Sequence, residues 1–75
     1  MLSKKESAKE LYQWTQNNKH SSFTNLIFHA INMATMEQKR CLAFGFMNEV
    51  LIFDEWLEFR QIHKENDFFK KYEVI

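Results

Sequence analysis

The chain has 75 residues, enough for one domain; 45% are hydrophobic and 16% aromatic, which excludes intrinsic disorder. Ten Lys and Arg balance ten Asp and Glu, so the formal net charge is zero; a generic nucleic-acid binder would carry a strong basic excess and a DNA mimic an acidic one. With one glycine and no proline there is little for tight β-turns, so the sequence predicts an all-α fold: residues 1–75 form a single helical domain, a compact bundle of four to five short helices.

The first helix is predicted over 3–17. Ser3 and Glu6 have capping-box spacing, and Ala8, Leu11, Tyr12 and Thr15 form a stripe with Trp14 at its edge. The polar run 16–20 reads as its end, with Asn17 or Asn18 as the left-handed residue and Ser21 or Ser22 as the next N-cap. A second helix follows over 22–33, where Phe23, Leu26, Ile27, Ala30, Ile31 and Ala34 make the cleanest apolar face. Phe28 falls off that face and reads as a second contact surface.

Thr35 and Gln38 repeat the capping-box spacing and start a third helix. Residues 36–62 would fit one helix about 40 Å long. A break is preferred, because a uniform helix across 41–53 would be apolar on all sides. Gly45 would supply it in the left-handed conformation, giving helices over 36–44 and 47–63. A last turn over 67–72, capped by Asn66, carries Phe68 and Phe69. The predicted core is Leu11, Phe23, Leu26, Ile27, Ala30, Ile31, Leu42, Phe46, Val50, Phe53 and Leu57.

The segment Phe23-Thr24-Asn25-Leu26, followed by Leu42-Ala43-Phe44-Gly45-Phe46-Met47-Asn48-Glu49-Val50 and Trp56, resembles small helical proteins of phages and mobile elements of Gram-positive bacteria. Their pattern reads F-T-N-L, then L-A-x-G-F-P-x-E-V. The resemblance covers the central half of the chain, and Met47 stands where the pattern has proline. It implies a mobile-element setting rather than a chemistry, since such families mostly lack an assigned activity.

No catalytic constellation stands out, so the chain reads as non-enzymatic and without cofactor. Cys41 sits in an apolar run and reads as a small buried hydrophobe; as the only cysteine it fits a reducing, cytoplasmic setting. His20, His29 and His63 lack metal-ligand spacing, Asp54, Glu55 and Glu58 read as a solvated face, and no apolar window is long enough to span a membrane. Excess aromatic area off the main stripes marks an interface, with Phe28, Phe44, Met47, Leu51 and Phe59 as its candidates. The expected partners are a second copy, as a homodimer or higher oligomer, and a host protein, a defence protein among the candidates, that the chain inhibits or redirects. An alternative is an anionic signalling nucleotide held at a subunit interface by Lys4, Lys5, Lys9, Lys70, Lys71 and Tyr72. Another is a small DNA-binding regulator with helices two and three as a helix-turn-helix unit; only Lys39 and Arg40 would serve it, so nucleic acid is disfavoured.

Overall fold

Hydroxyl side chains set three of the helix starts. The computed structural model describes residues 2–17 and 22–75. At the first start, the Ser3 backbone N–H donates to Glu6 Oε1 at 3.0 Å and the Glu6 N–H donates to Ser3 Oγ at 3.1 Å. This reciprocal box opens α1, Lys4–Asn17. Ser22 Oγ accepts from the Asn25 N–H at 3.1 Å and opens α2, Phe23–Met33. Thr35 and Gln38 form a second complete box, with bonds of 3.0 and 3.2 Å, and open α3, Met36–Gly45. The alternative cap at Ser21 and the left-handed residue at Asn18 lie outside the described residues, and Asn17 is helical.

The predicted break exists, but its cause is different. Gly45 is the last helical residue of α3 and has no positive φ. Phe46 makes the turn, at φ −132° and ψ 50°, serving at once as C-cap of α3 and N-cap of α4, Met47–Ile62. Met47 is thus the first helical residue, the position that proline prefers. The last helix, α5, spans Glu65–Lys71 and begins two residues earlier than expected; Lys64, not Asn66, is its N-cap. Among the described residues the only regular structure is these five helices.

The core is an aromatic cluster around α4. Ala8, Leu11 and Trp14 of α1, Phe28 and Ile31 of α2, Val50, Ile52, Phe53 and Trp56 of α4, and Phe68 and Phe69 of α5 are buried together. Phe53 is its hub, stacked on Phe28 at 6.3 Å and edge-on to Trp14 at 5.9 Å and Trp56 at 5.5 Å. Phe68 and Phe69 fasten α5, with Phe69 edge-on to Tyr12 of α1 at 5.0 Å and Phe68 edge-on to Phe59 of α4 at 5.6 Å. Offset and edge-to-face rings each add roughly 0.5–1.5 kcal/mol beyond area burial. The radius of gyration is 11.5 Å, close to the value of about 11 Å expected for a compact chain of this length.

Two core assignments need correction. Phe28, read as a contact surface, is 0% exposed, whereas Phe23 and Leu26, read as core, are 65% and 46% exposed. Helix α2 is therefore rotated by roughly a third of a turn from the face its periodicity suggested. Phe28 stacks on Phe53 in the aromatic core, whereas Phe23, of the same size, packs on Phe46 and stays largely exposed; Asn25 is buried on the Phe28 side. Ile27, Ala30, Leu42, Phe46 and Leu57 are half-buried, while Leu11, Ile31, Val50 and Phe53 are buried as expected.

Candidate functional site

The rotation of α2 turns an apolar line outward. Phe23, Leu26, Ala30 and Met33 recur at three- and four-residue steps along the helix. Facing α3, small residues on both sides leave a groove of about 620 Å³, lined by Ala30 of α2 and its C-cap Ala34, by Glu37, Gln38, Cys41, Leu42 and Gly45 of α3, and by Phe46. The space exists because α3 has no fully buried residue: it lies on α4 through half-buried Leu42 and Ala43. Cys41 is exposed in this groove, contrary to its reading as a buried hydrophobe. Phe44, Met47 and Leu51 are exposed too, Phe44 to 90%. Of the interface candidates, then, Phe44, Met47 and Leu51 are on the surface. Phe28 is not, and Phe59 is half-buried between His63, at 4.6 Å, and Phe68.

The expected anion site assembles differently. Helices α1 and α5 do meet, but through carboxylates. Lys4 Nζ lies 3.0 Å from Glu55 Oε2, Tyr72 Oη donates to Glu55 Oε1 at 3.0 Å, and Lys5 Nζ lies 3.4 Å from Glu73. Partial burial alone would raise the Glu55 carboxyl, but the hydrogen bonds from Lys4 and Tyr72 and the charges of Lys4 and Lys71 outweigh it and hold the group below its usual range. Burial and the bond to Glu55 raise the Tyr72 phenol. The bond to Glu55 raises Lys4. Lys71 lies 5.5 Å over the Tyr72 ring, and Lys9 and Lys70 are exposed. The cavity beside Lys5 and Lys9, about 370 Å³, is shared with Glu6 and Glu73. An anion there would meet two carboxylates as well as two ammonium groups. On α3, Lys39 is held by Asp54 at 2.9 Å, which leaves Arg40 as the exposed basic group of the helix-turn-helix reading.

Sequence reasoning missed three buried polar side chains inside the bundle. Ser7 of α1, Asn25 of α2 and Glu49 of α4 are all buried, and Ser7 Oγ donates to Glu49 Oε1 at 3.2 Å. Polar residues on amphipathic helices are ordinarily assigned outward, so periodicity carries no signal for them. Glu49 also lines a cavity of about 350 Å³ with Leu2, Phe23, Thr24, Ile27, Gly45 and Phe46. Among the described residues no group of three or more His, Cys, Asp or Glu side chains is placed to hold a metal ion, and no helix is long and apolar enough to cross a membrane. Comparison of the chain with family models, with curated proteins and with solved structures finds no match.

Proposed function

We propose that the chain is a small non-enzymatic binding protein that holds a host protein on the open face of α2 and α3, inhibiting or redirecting it. The carrying observation is the groove itself: about 620 Å³ between two helices, floored by small residues and flanked by exposed Phe23, Leu26 and Met33. Contiguous exposed apolar area of this kind marks partner contact. A groove between helices suits an amphipathic helix laid into it by its apolar side. The resemblance to mobile-element proteins supports a partner encoded by the host. The anion and DNA readings are less favoured, because Lys4, Lys5 and Lys39 already face carboxylates.

The test starts with a photo-crosslinking amino acid at position 38, an exposed position that lines the groove, used in a Gram-positive host to trap the partner. The purified partner is then titrated by calorimetry against the wild type and the double variant Leu26→Gln/Cys41→Gln, both changes falling at exposed positions. At least tenfold weaker binding by the variant is expected. Equal affinity for both proteins would remove the groove from the function. A crosslink only to a second copy of the chain would replace the host partner with self-association.

A further inference from the structure

Glu49 is 3% exposed, and its carboxylate is only half engaged. One oxygen accepts from Ser7 Oγ at 3.2 Å; the other accepts no hydrogen bond from any described residue. A buried carboxylate oxygen without a donor is costly. The position of Glu49 in the first turn of α4 offsets part of that cost through the helix dipole, but a dipole does not stand in for a donor at the second oxygen. Such a group, when it lines a cavity, points to a donor that comes from outside.

The walls define which donor. Phe23 and Phe46, 5.7 Å apart centroid to centroid, line the approximately 350 Å³ cavity together with Leu2, Thr24 and Ile27. Asn48 Nδ2 donates to the Leu2 carbonyl at 2.8 Å and fixes that wall. Among the described residues no lysine, arginine or histidine lines the cavity. A negative group within walls that are aromatic and aliphatic apart from Thr24 and Gly45 selects a cation with an apolar stem. Its charge meets the carboxylate, its face meets the rings and its methylenes cover the aliphatic side. A guanidinium suits this better than an ammonium, being flat, weakly hydrated and able to present several donors at once.

We infer that this cavity takes the guanidinium of an arginine side chain carried by the partner segment seated on the α2–α3 groove. The two cavities share Gly45 and Phe46, so a segment lying in the groove passes the mouth of the Glu49 pocket. The bearer of the arginine rests on the function proposed above; the preference of the pocket for a guanidinium does not.

The experiment therefore uses a free probe. The ¹⁵N-labelled chain is titrated by NMR with acetyl-arginine methylamide and with its citrulline counterpart, which has the same shape without the charge. The arginine probe should move the amides of Phe23, Phe46 and Glu49 and bind at least tenfold more tightly than the citrulline probe. Glu49→Gln should bring the two probes within twofold of each other. Equal response to both probes on the wild type, or no movement of these amides, overturns the proposal without need of any variant. An arginine response unchanged in folded Glu49→Gln also overturns it. The double variant Leu26→Gln/Cys41→Gln should keep the arginine response while losing the protein partner, so failure of the pocket and failure of the groove are read separately.

Discussion

Lys4, Glu55 and Tyr72 join three helices' worth of chain with two 3.0 Å contacts, and their titration makes stability depend on pH from both sides. The carboxyl of Glu55 is held below the usual value near 4.5, as is that of Glu6, which accepts from the Ser3 backbone N–H and hydroxyl. A depressed native pKa means that the unfolded chain takes up protons first as the pH falls. The contribution is therefore complete above about 4.5 and is lost as the pH drops through the native values. Lys4 and Tyr72 have raised native values, so their contributions are complete below 10.5 and 10.0 and fade as the pH rises through the native values. Thermal melts between pH 3 and 7 should show a loss of stability that sets in as the pH falls to about 4.5 and grows below it. Glu55→Gln should show a smaller acid loss than the wild type; an identical acid profile would mean that the contact does not persist in solution. The capping residues were legible in the sequence because a hydroxyl three residues before Glu or Gln has a local geometry that needs no tertiary context. The Ser7–Glu49 pair was not, since its partners are 42 positions apart and each alone reads as a surface residue.

At the scale of elements, the five helices and the interruption near residue 45 were readable from caps, composition and the all-round apolarity of 41–53. The inner face of α2 was not. Periodicity counts apolar residues and so favoured Phe23, Leu26 and Ala30, whereas packing is decided by which ring stacks on Phe53, and that ring is Phe28. Mutation separates the two faces. Phe28→Ala should cost about 3–5 kcal/mol, as expected for a fully buried ring. Leu26→Ala, at a half-exposed position, should cost less than about 1 kcal/mol. Urea unfolding of both variants checks this, and the reverse order would restore the face suggested by periodicity. Gly45 gives a second case. It is helical, its φ is not positive, and a Cβ there would meet nothing within 4 Å. The left-handed role expected of it is absent, so Gly45→Ala should stabilise the fold by roughly 0.5–1 kcal/mol, the usual gain in a helix. A loss of that size in a denaturant titration would show that the hinge needs glycine after all. The pair Phe68 and Phe69 escaped the core assignment for a further reason: a seven-residue helix is too short to display a period.

For the molecule as a whole, half of the twelve aromatic residues, namely Phe28, Phe53, Phe68, Phe69 and both tryptophans, are buried, but of the candidates that suggested an interface only Phe28 is among them. What remains outside is narrower and better placed. Phe44 is 90% exposed at the end of α3, and Met47 and Leu51, also exposed, follow it along the start of α4. Burying a phenylalanine contributes roughly 1.5–3 kcal/mol, and a two-fold contact would gain it twice, once from each copy. A standard interface takes about 800 Å² per partner, roughly a sixth of the 5151 Å² surface of the chain. An edge of three apolar side chains beside the groove can seed that area, and zero net charge leaves no long-range repulsion to oppose it. A homodimer through Phe44 is therefore the expected state at micromolar concentration. Sedimentation equilibrium should give twice the chain mass for the wild type and the single chain mass for Phe44→Glu, which would place two carboxylates in the seam. Helical content of that variant should hardly change, because Phe44 supports nothing inside the bundle, whereas its melting temperature should lose the part that association contributes and no longer depend on concentration. A wild type that stays monomeric would assign this edge to the host partner. A dimer that survives Phe44→Glu would move the seam to the α2 side of the groove, where Leu26→Glu is the next variant to sediment.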